Sequence, residues 1–219
     1  MSEIVIMKEL LGENKKIAEE MRSFYRERGV LMVNIMGAPG AGKTTLLKAL
    51  IAELDRRGVN TSVIEGDLYS SIDADYFNEK GIKASQINTC GECHLDAAVI
   101  REGFDKAAID HGICFVENVG NLICPAEFDL GDDLRIVCAS VPEGDDKTYK
   151  YIPMFSYVDA VVLTKCDLKE AVGFDTPYFT KGLRALSEAP VFEVSLNKTG
   201  EEEGIPALAD YIQGKFNEL

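Results

Sequence analysis

Gly37-Ala38-Pro39-Gly40-Ala41-Gly42-Lys43-Thr44-Thr45 decides the fold. The stretch matches G-x-x-x-x-G-K-[ST], the phosphate-binding P-loop. The apolar run from Val30 to Met36 precedes it and reads as a buried strand. From Thr44 to Arg57, Leu46, Leu47, Leu50, Ile51 and Leu54 recur at helical spacing. Strand, loop and helix are the context the motif requires. The glycines let the backbone turn its N–H groups toward one anion, and the helix that starts there adds the positive end of its dipole. Lys43 is placed to reach the β- and γ-phosphates of a nucleotide, and Thr44 to sit on Mg²⁺.

Working outward, apolar strand-like runs alternate with helical stretches. Strands are expected at Asn60–Ile64, weakly at Lys83–Asn88, and at Ile113–Val116, Leu134–Ser140, Val158–Leu163 and Val191–Ser195. Helices are expected over residues 8–28, 72–80, 95–110, 147–155, 182–189 and 205–216. The first of these, within residues 1–29, is amphipathic through Leu11, Ile17, Met21 and Phe24 and is stopped by Gly29. This alternation predicts a three-layer α/β fold of the P-loop NTPase type: a mostly parallel sheet with helices on both faces. No linker divides the 219 residues, so a single domain spanning 1–219 is expected. Ligands in such a fold gather at the carboxyl ends of the strands.

The net charge of −14 disfavours sequence-independent binding to nucleic acid or anionic lipid. No apolar run approaches the ~20 residues of a membrane span, and the first ten residues lack a secretory pattern. The expected address is cytoplasmic. In that reduced setting the six cysteines suggest buried thiols and metal ligands more than disulfides.

Thr164-Lys165-Cys166-Asp167 falls at the end of a late strand and is similar to the guanine signature N-K-x-D. A carboxylate at Asp167 can accept from guanine N1–H and the exocyclic amine; adenine has no N1–H and leaves it unpaired. The stem of Lys165 can lie along the base. Thr164 replaces the usual Asn and is expected to weaken that part of the contact. Ser195 and Leu196 fall where a second base-contacting loop belongs. Glu117 ends a buried strand, the position of an acid near Mg²⁺, and Gly120 can offer a backbone N–H to the γ-phosphate. Asp67 has two open readings, a helix N-cap or a group that holds Mg²⁺ and orients the attacking water. No Gln or Arg stands out as a hydrolysis catalyst, so slow intrinsic turnover is expected.

Cys93-His94 and Cys124-Pro125 follow two expected strands. Thiolate and imidazole suit Zn²⁺ and Ni²⁺, but spacing alone also allows core cysteines with a capping histidine, and Cys90-Gly91-Glu92-Cys93 has the spacing of a redox pair. Cys114 and Cys138 lie inside strands and read as apolar filler.

Taken together, the P-loop, Glu65-Gly66-Asp67, Ile87-Asn88-Thr89, Cys93-His94-Leu95-Asp96, the run from Glu117 to Pro125, and Thr164-Lys165-Cys166-Asp167 resemble the HypB family, dimerising GTPases of the SIMIBI class that insert nickel during nickel–iron hydrogenase maturation. The resemblance covers about residues 30 to 216. It implies GTP hydrolysis to GDP with Mg²⁺ held by Thr44, Asp67 and Glu117, and catalytic roles for Lys43, Asp67 and Glu117. It also implies a GTP-favoured homodimer with Ni²⁺ or Zn²⁺ at its interface on Cys93, His94 and Cys124, and as partners other maturation proteins and the hydrogenase large-subunit precursor. The N-terminal cysteine-rich nickel site and the His-rich stretch of many members are absent, and Cys90 stands where a Gly is expected. Two other classes fit the P-loop: a small-molecule kinase, and a nucleotide-gated switch with purely structural zinc.

Overall fold

The computed structural model describes residues 3–67, 72–89, 91–196 and 202–219. One sheet runs through the chain, with strands β1 (Val30–Gly37), β2 (Thr61–Asp67), β3 (Lys83–Asn88), β4 (Gly112–Glu117), β5 (Leu134–Ser140), β6 (Ala160–Thr164), β7 (Val191–Leu196) and β8 (Glu202–Glu203). Their order is β3-β2-β4-β1-β5-β6-β7-β8, and every pairing is parallel except that of β8 with β7. All residues of β1 and β4 are buried, as expected of strands covered on both faces.

Alternation along β1 sends Leu31, Val33 and Ile35 to one face, where helices α2 (Lys43–Arg56), α3 (Ile72–Glu79) and α9 (Ile205–Asn217) pack. Val30 and Met32 point to the other face, under α1 (Glu3–Glu27) and α4 (Ala97–Ala107). Met36 continues that face beneath α6 (Ile152–Ser156) and α8 (Thr176–Arg184). Between α5 (Lys147–Lys150) and α6 the chain breaks at Tyr151, ahead of Pro153. A short α7 (Lys169–Val172) completes the set.

Some expected boundaries are corrected. Helix α8 starts at Thr176 and ends at Arg184, not over 182–189, because Asp175 accepts from Tyr178 N and Pro177 sits in the first turn. Helix α4 starts at Ala97, since Asp96 is its N-cap through Val99 N, and it ends at Ala107. The expected strand from Val158 begins two residues later, at Ala160.

Strand order fixes where ligands can bind. From β1 the chain moves through α2 toward β2, and from β5 it moves the other way toward β6. The carboxyl ends of β1 and β5 therefore flank a topological switch point, with the P-loop in it.

Tyr25 on α1 is fully buried, its ring 4.7 Å from that of Phe104. Its hydroxyl meets no hydrogen-bonding group among the described residues, and burial pushes its pKa far above the ordinary tyrosine value. Tyr25→Phe is expected to hold or raise stability by about 1 kcal/mol, since it removes an unsatisfied polar atom. Tyr25→Ala should cost roughly 3–5 kcal/mol by leaving a cavity. Urea unfolding of both variants checks the pair.

Candidate functional site

The P-loop is bent by Gly40 and Gly42, both at positive φ, with Ala41 N donating to Ala38 O (3.2 Å). Gly37 admits no side chain: a Cβ there would lie 2.3 Å from Cys138 O. Lys43 is buried and folds over the loop, its Nζ donating to Ala38 O (3.2 Å) and Gly37 O (3.4 Å). The Thr44 hydroxyl donates to Glu117 Oε1 (2.8 Å). Hydroxyl and carboxylate thus meet at the end of β4, a pair of hard oxygen donors that fits Mg²⁺. Of Asp67, the last residue of β2, the side chain lies outside the described residues, as does all of Cys90.

On the other side of the loop, Lys165, Asp167 and Leu196 line one cavity of ≈ 200 Å³ with Gly42, Thr45, Thr164 and Leu168. Ser195 is buried beside them. Lys165 takes a left-handed backbone conformation (φ 59°), and its Nζ donates to Gly40 O at 2.7 Å. The Thr164 hydroxyl donates to Ala41 O at 2.6 Å. The residue expected to weaken base contact is therefore bonded to the P-loop. Leu168 was not foreseen: an apolar residue one place beyond a polar signature carries no local mark.

Cys93 and Cys124, 31 residues apart, come together with their sulfurs 3.0 Å from each other. His94 Nδ1 is 3.7 Å from Cys93 Sγ, and its ring stacks on Phe128 at 3.8 Å between centroids. Cys93 is exposed and Cys124 half-buried. The S–H contact with Cys124, then burial, holds the Cys93 thiol above its ordinary pKa. Two soft sulfurs with an imidazole alongside suit Zn²⁺ or Ni²⁺ and do not suit Mg²⁺. No three such donors among the described residues are already closed about one point. By contrast, Cys114 and Cys138 are fully buried and burial pushes both up to about 12, as filler thiols should be.

The two sites share a segment. Asn121 N donates to Gly37 O (3.1 Å) in an isolated antiparallel bridge, and Asn121 Nδ2 donates to Cys93 O (3.2 Å). Its Oδ1 accepts from Ile123 N (2.9 Å), shaping the turn into the short 3₁₀ helix that begins at Cys124. A Cβ on Gly120 would meet Pro39 at 3.0 Å. Asn121 stood in the run from Glu117 to Pro125 but was not singled out, because the bonds that join the two sites are long-range.

Comparison with known families matches residues 31–192 to the one described as CobW/HypB/UreG, nucleotide-binding domain. The hydrogenase/urease maturation factor HypB of Helicobacter hepaticus is 40% identical over 97% of this chain and 88% of its own length. The probable hydrogenase maturation factor HypB of Methanocaldococcus jannaschii is 36% identical over 98% and 96%. Among solved structures, HypB from Helicobacter pylori in complex with nickel superposes with a TM-score of 0.86 at 36% identity, covering 94% of this chain and 96% of that one. HypB from Archaeoglobus fulgidus gives 0.85 at 39% identity, with 94% and 99% covered. The signal recognition particle receptor FtsY, at 16% identity and a TM-score of 0.55 over 82% and 62%, shares the fold alone. With a nucleotide-binding loop and a thiol–imidazole pair joined by one segment, and relatives that match along nearly its whole length, this chain belongs to the HypB family of hydrogenase maturation factors.

Proposed function

We propose that the chain is a GTP-hydrolysing metallochaperone that carries nickel, or zinc, on Cys93, His94 and Cys124 at a homodimer interface and couples its release toward a nickel–iron hydrogenase precursor to the state of the nucleotide. The observation that carries this reading is Asn121, one residue hydrogen-bonded to both the P-loop and the Cys93 segment. The nickel complex of a relative 36% identical supports the choice of cargo.

In this reading the P-loop amides and Lys43 hold the β- and γ-phosphates. Lys43 exchanges its carbonyl partners for phosphate oxygens, a stronger charge-assisted bond. Thr44, Glu117 and Asp67 would hold Mg²⁺, which when bound neutralises charge on the phosphate oxygens. Glu117 and Asp67 also orient the attacking water, and the Gly120 N–H meets the γ-phosphate. Asp167 and Lys165 choose guanine, with Ser195 and Leu196 closing the base pocket. A γ-phosphate that draws Gly120 pulls on Asn121, and so on Cys93 and Cys124 together. One chain supplies three soft ligands; a second copy across a two-fold axis completes or shares the site. The absence of a membrane-crossing helix among the described residues is compatible with a cytoplasmic carrier.

The primary test measures metal content and oligomeric mass side by side with GDP and with a non-hydrolysable GTP analogue. Metal-dependent dimer that changes with the nucleotide is expected; metal and mass that ignore the nucleotide would sink the coupling. Asn121→Ala should leave GDP affinity within about threefold, while the factor by which the GTP analogue changes Ni²⁺ affinity, typically about 5–150-fold for coupled sites, falls toward one. Isothermal titration of Ni²⁺ in both nucleotide states reads this directly. Asp167→Asn should weaken GTP about 100-fold or more and favour a xanthine nucleotide, whose 2-oxo group accepts from the new amide. Competition against labelled GTP decides it, and unchanged guanine preference would remove Asp167 from the base site.

A further inference from the structure

Helix α1 lies ahead of the P-loop core and carries no metal-ligand motif, yet it walls the metal site. A cavity of ≈ 600 Å³ holds Cys93, His94 and Cys124 on one side and Glu13, Asn14 and Ile17 of α1 on the other. Asn14 is buried there despite its polarity.

Its amide is divided between two segments. Asn14 Nδ2 donates to Asp129 O at 2.8 Å, and Asn14 Oδ1 accepts from Ala97 N at 2.9 Å. Ala97 is three residues past His94 and opens α4, whose third amide, Val99 N, is capped by Asp96. Asp129 follows Phe128, the ring against which His94 stacks. One side chain thus joins the segment that bears Cys93 and His94 to the segment that bears Cys124 and Phe128.

Attachment of α1 does not need this contact. Arg22 bonds to Asp129 Oδ1 (2.6 Å) and Asp132 O (3.2 Å), and Arg26 pairs with Asp133 (2.7 Å). Met21 and Tyr25 sit in the apolar cluster with Phe104. Asn14 lies two turns before that anchor, near the middle of α1, where the helix borders the cavity of the thiols.

We propose that Asn14 is a positioning residue of the metal centre: it sets the separation of the two ligand-bearing segments, and α1 is thereby a structural part of the site. This rests on the reading of Cys93, His94 and Cys124 as metal ligands. Partners that hold ligands from outside the coordination shell are worth roughly 10- to 100-fold in metal affinity.

The test uses the full chain and Ni²⁺ alone, titrated against a chromophoric chelator, with GDP affinity and thermal midpoint measured beside it. Asn14→Ala is expected to weaken Ni²⁺ about tenfold, leave GDP affinity within about twofold, and shift or weaken the thiolate-to-nickel charge-transfer band of the saturated protein. That band is the readout a purely stabilising side chain would not move. Asn14→Leu, similar in volume and a good helix former, should give the same result and serves if the alanine variant fails to fold. Cys124→Ala must abolish the band. Should Cys124→Ala retain full nickel, the thiol site itself is wrong. Should it lose nickel while both Asn14 variants keep wild-type affinity and spectrum, Asn14 has no positioning role and the proposal is overturned.

Discussion

The hydrogen bond from Asn121 N to Gly37 O fixes the relation between the nucleotide loop and everything beyond β4. Gly37 is held from two sides. Its own strand pairs with β5 so closely that Cys138 O occupies the space of a side chain, and the returning segment pairs with it as an isolated bridge. One residue before Asn121, Gly120 leaves only the space a hydrogen needs beside Pro39. The start of the P-loop therefore has little freedom to move alone. A displacement there reaches Asn121 through one bond, and Cys124 is three residues further on.

The far flank of the loop is fastened differently. Thr164 donates to Ala41 O and Lys165 to Gly40 O, so side chains at the end of β6 satisfy two P-loop carbonyls. A threonine hydroxyl has one proton. With that proton on Ala41 O at 2.6 Å, Thr164 has none for a base, so the proposed choice of guanine rests on Asp167.

Much of this was legible in the residues themselves. The P-loop has a fixed pattern, and β1 and β4 are apolar runs because both their faces are covered, so the strands and the parallel, helix-covered sheet followed, while the order of the strands did not. Glu117, Lys165 and Asp167 stood out as candidates because they sit at or just beyond strand ends beside motifs. The boundary of α8 was misread because its apolar spacing was followed past Arg184, while the stronger signal, Asp175 before Thr176-Pro177, lay upstream. Asn14 was not singled out, Asn121 entered only within the run from Glu117 to Pro125, and Phe128 was not singled out. Their partners lie 83 and 115, 28, and 34 residues away respectively, and no local period records such contacts. Whether Cys93 and Cys124 meet was equally beyond spacing, because it depends on how β4 is inserted between β1 and β2.

The two candidate cation sites differ in the way their proposed roles demand. Thr44 and Glu117 offer oxygen, half-buried and buried respectively, whereas the exposed Cys93 and the half-buried Cys124, the latter seven residues beyond Glu117, offer sulfur. Ligand hardness keeps the cations apart: Mg²⁺ gains little from thiolate, and nickel or zinc prefers sulfur and imidazole to a lone hydroxyl and carboxylate. Exposure separates their kinetics. A structural zinc is enclosed by four protein ligands, and a cargo ion needs an open coordination position by which to leave. An exposed Cys93, a half-buried Cys124 and an imidazole resting on Phe128 leave room for such a position, which is what the proposed division between a catalytic cation at the inner end of the segment and a cargo ion at its outer end requires.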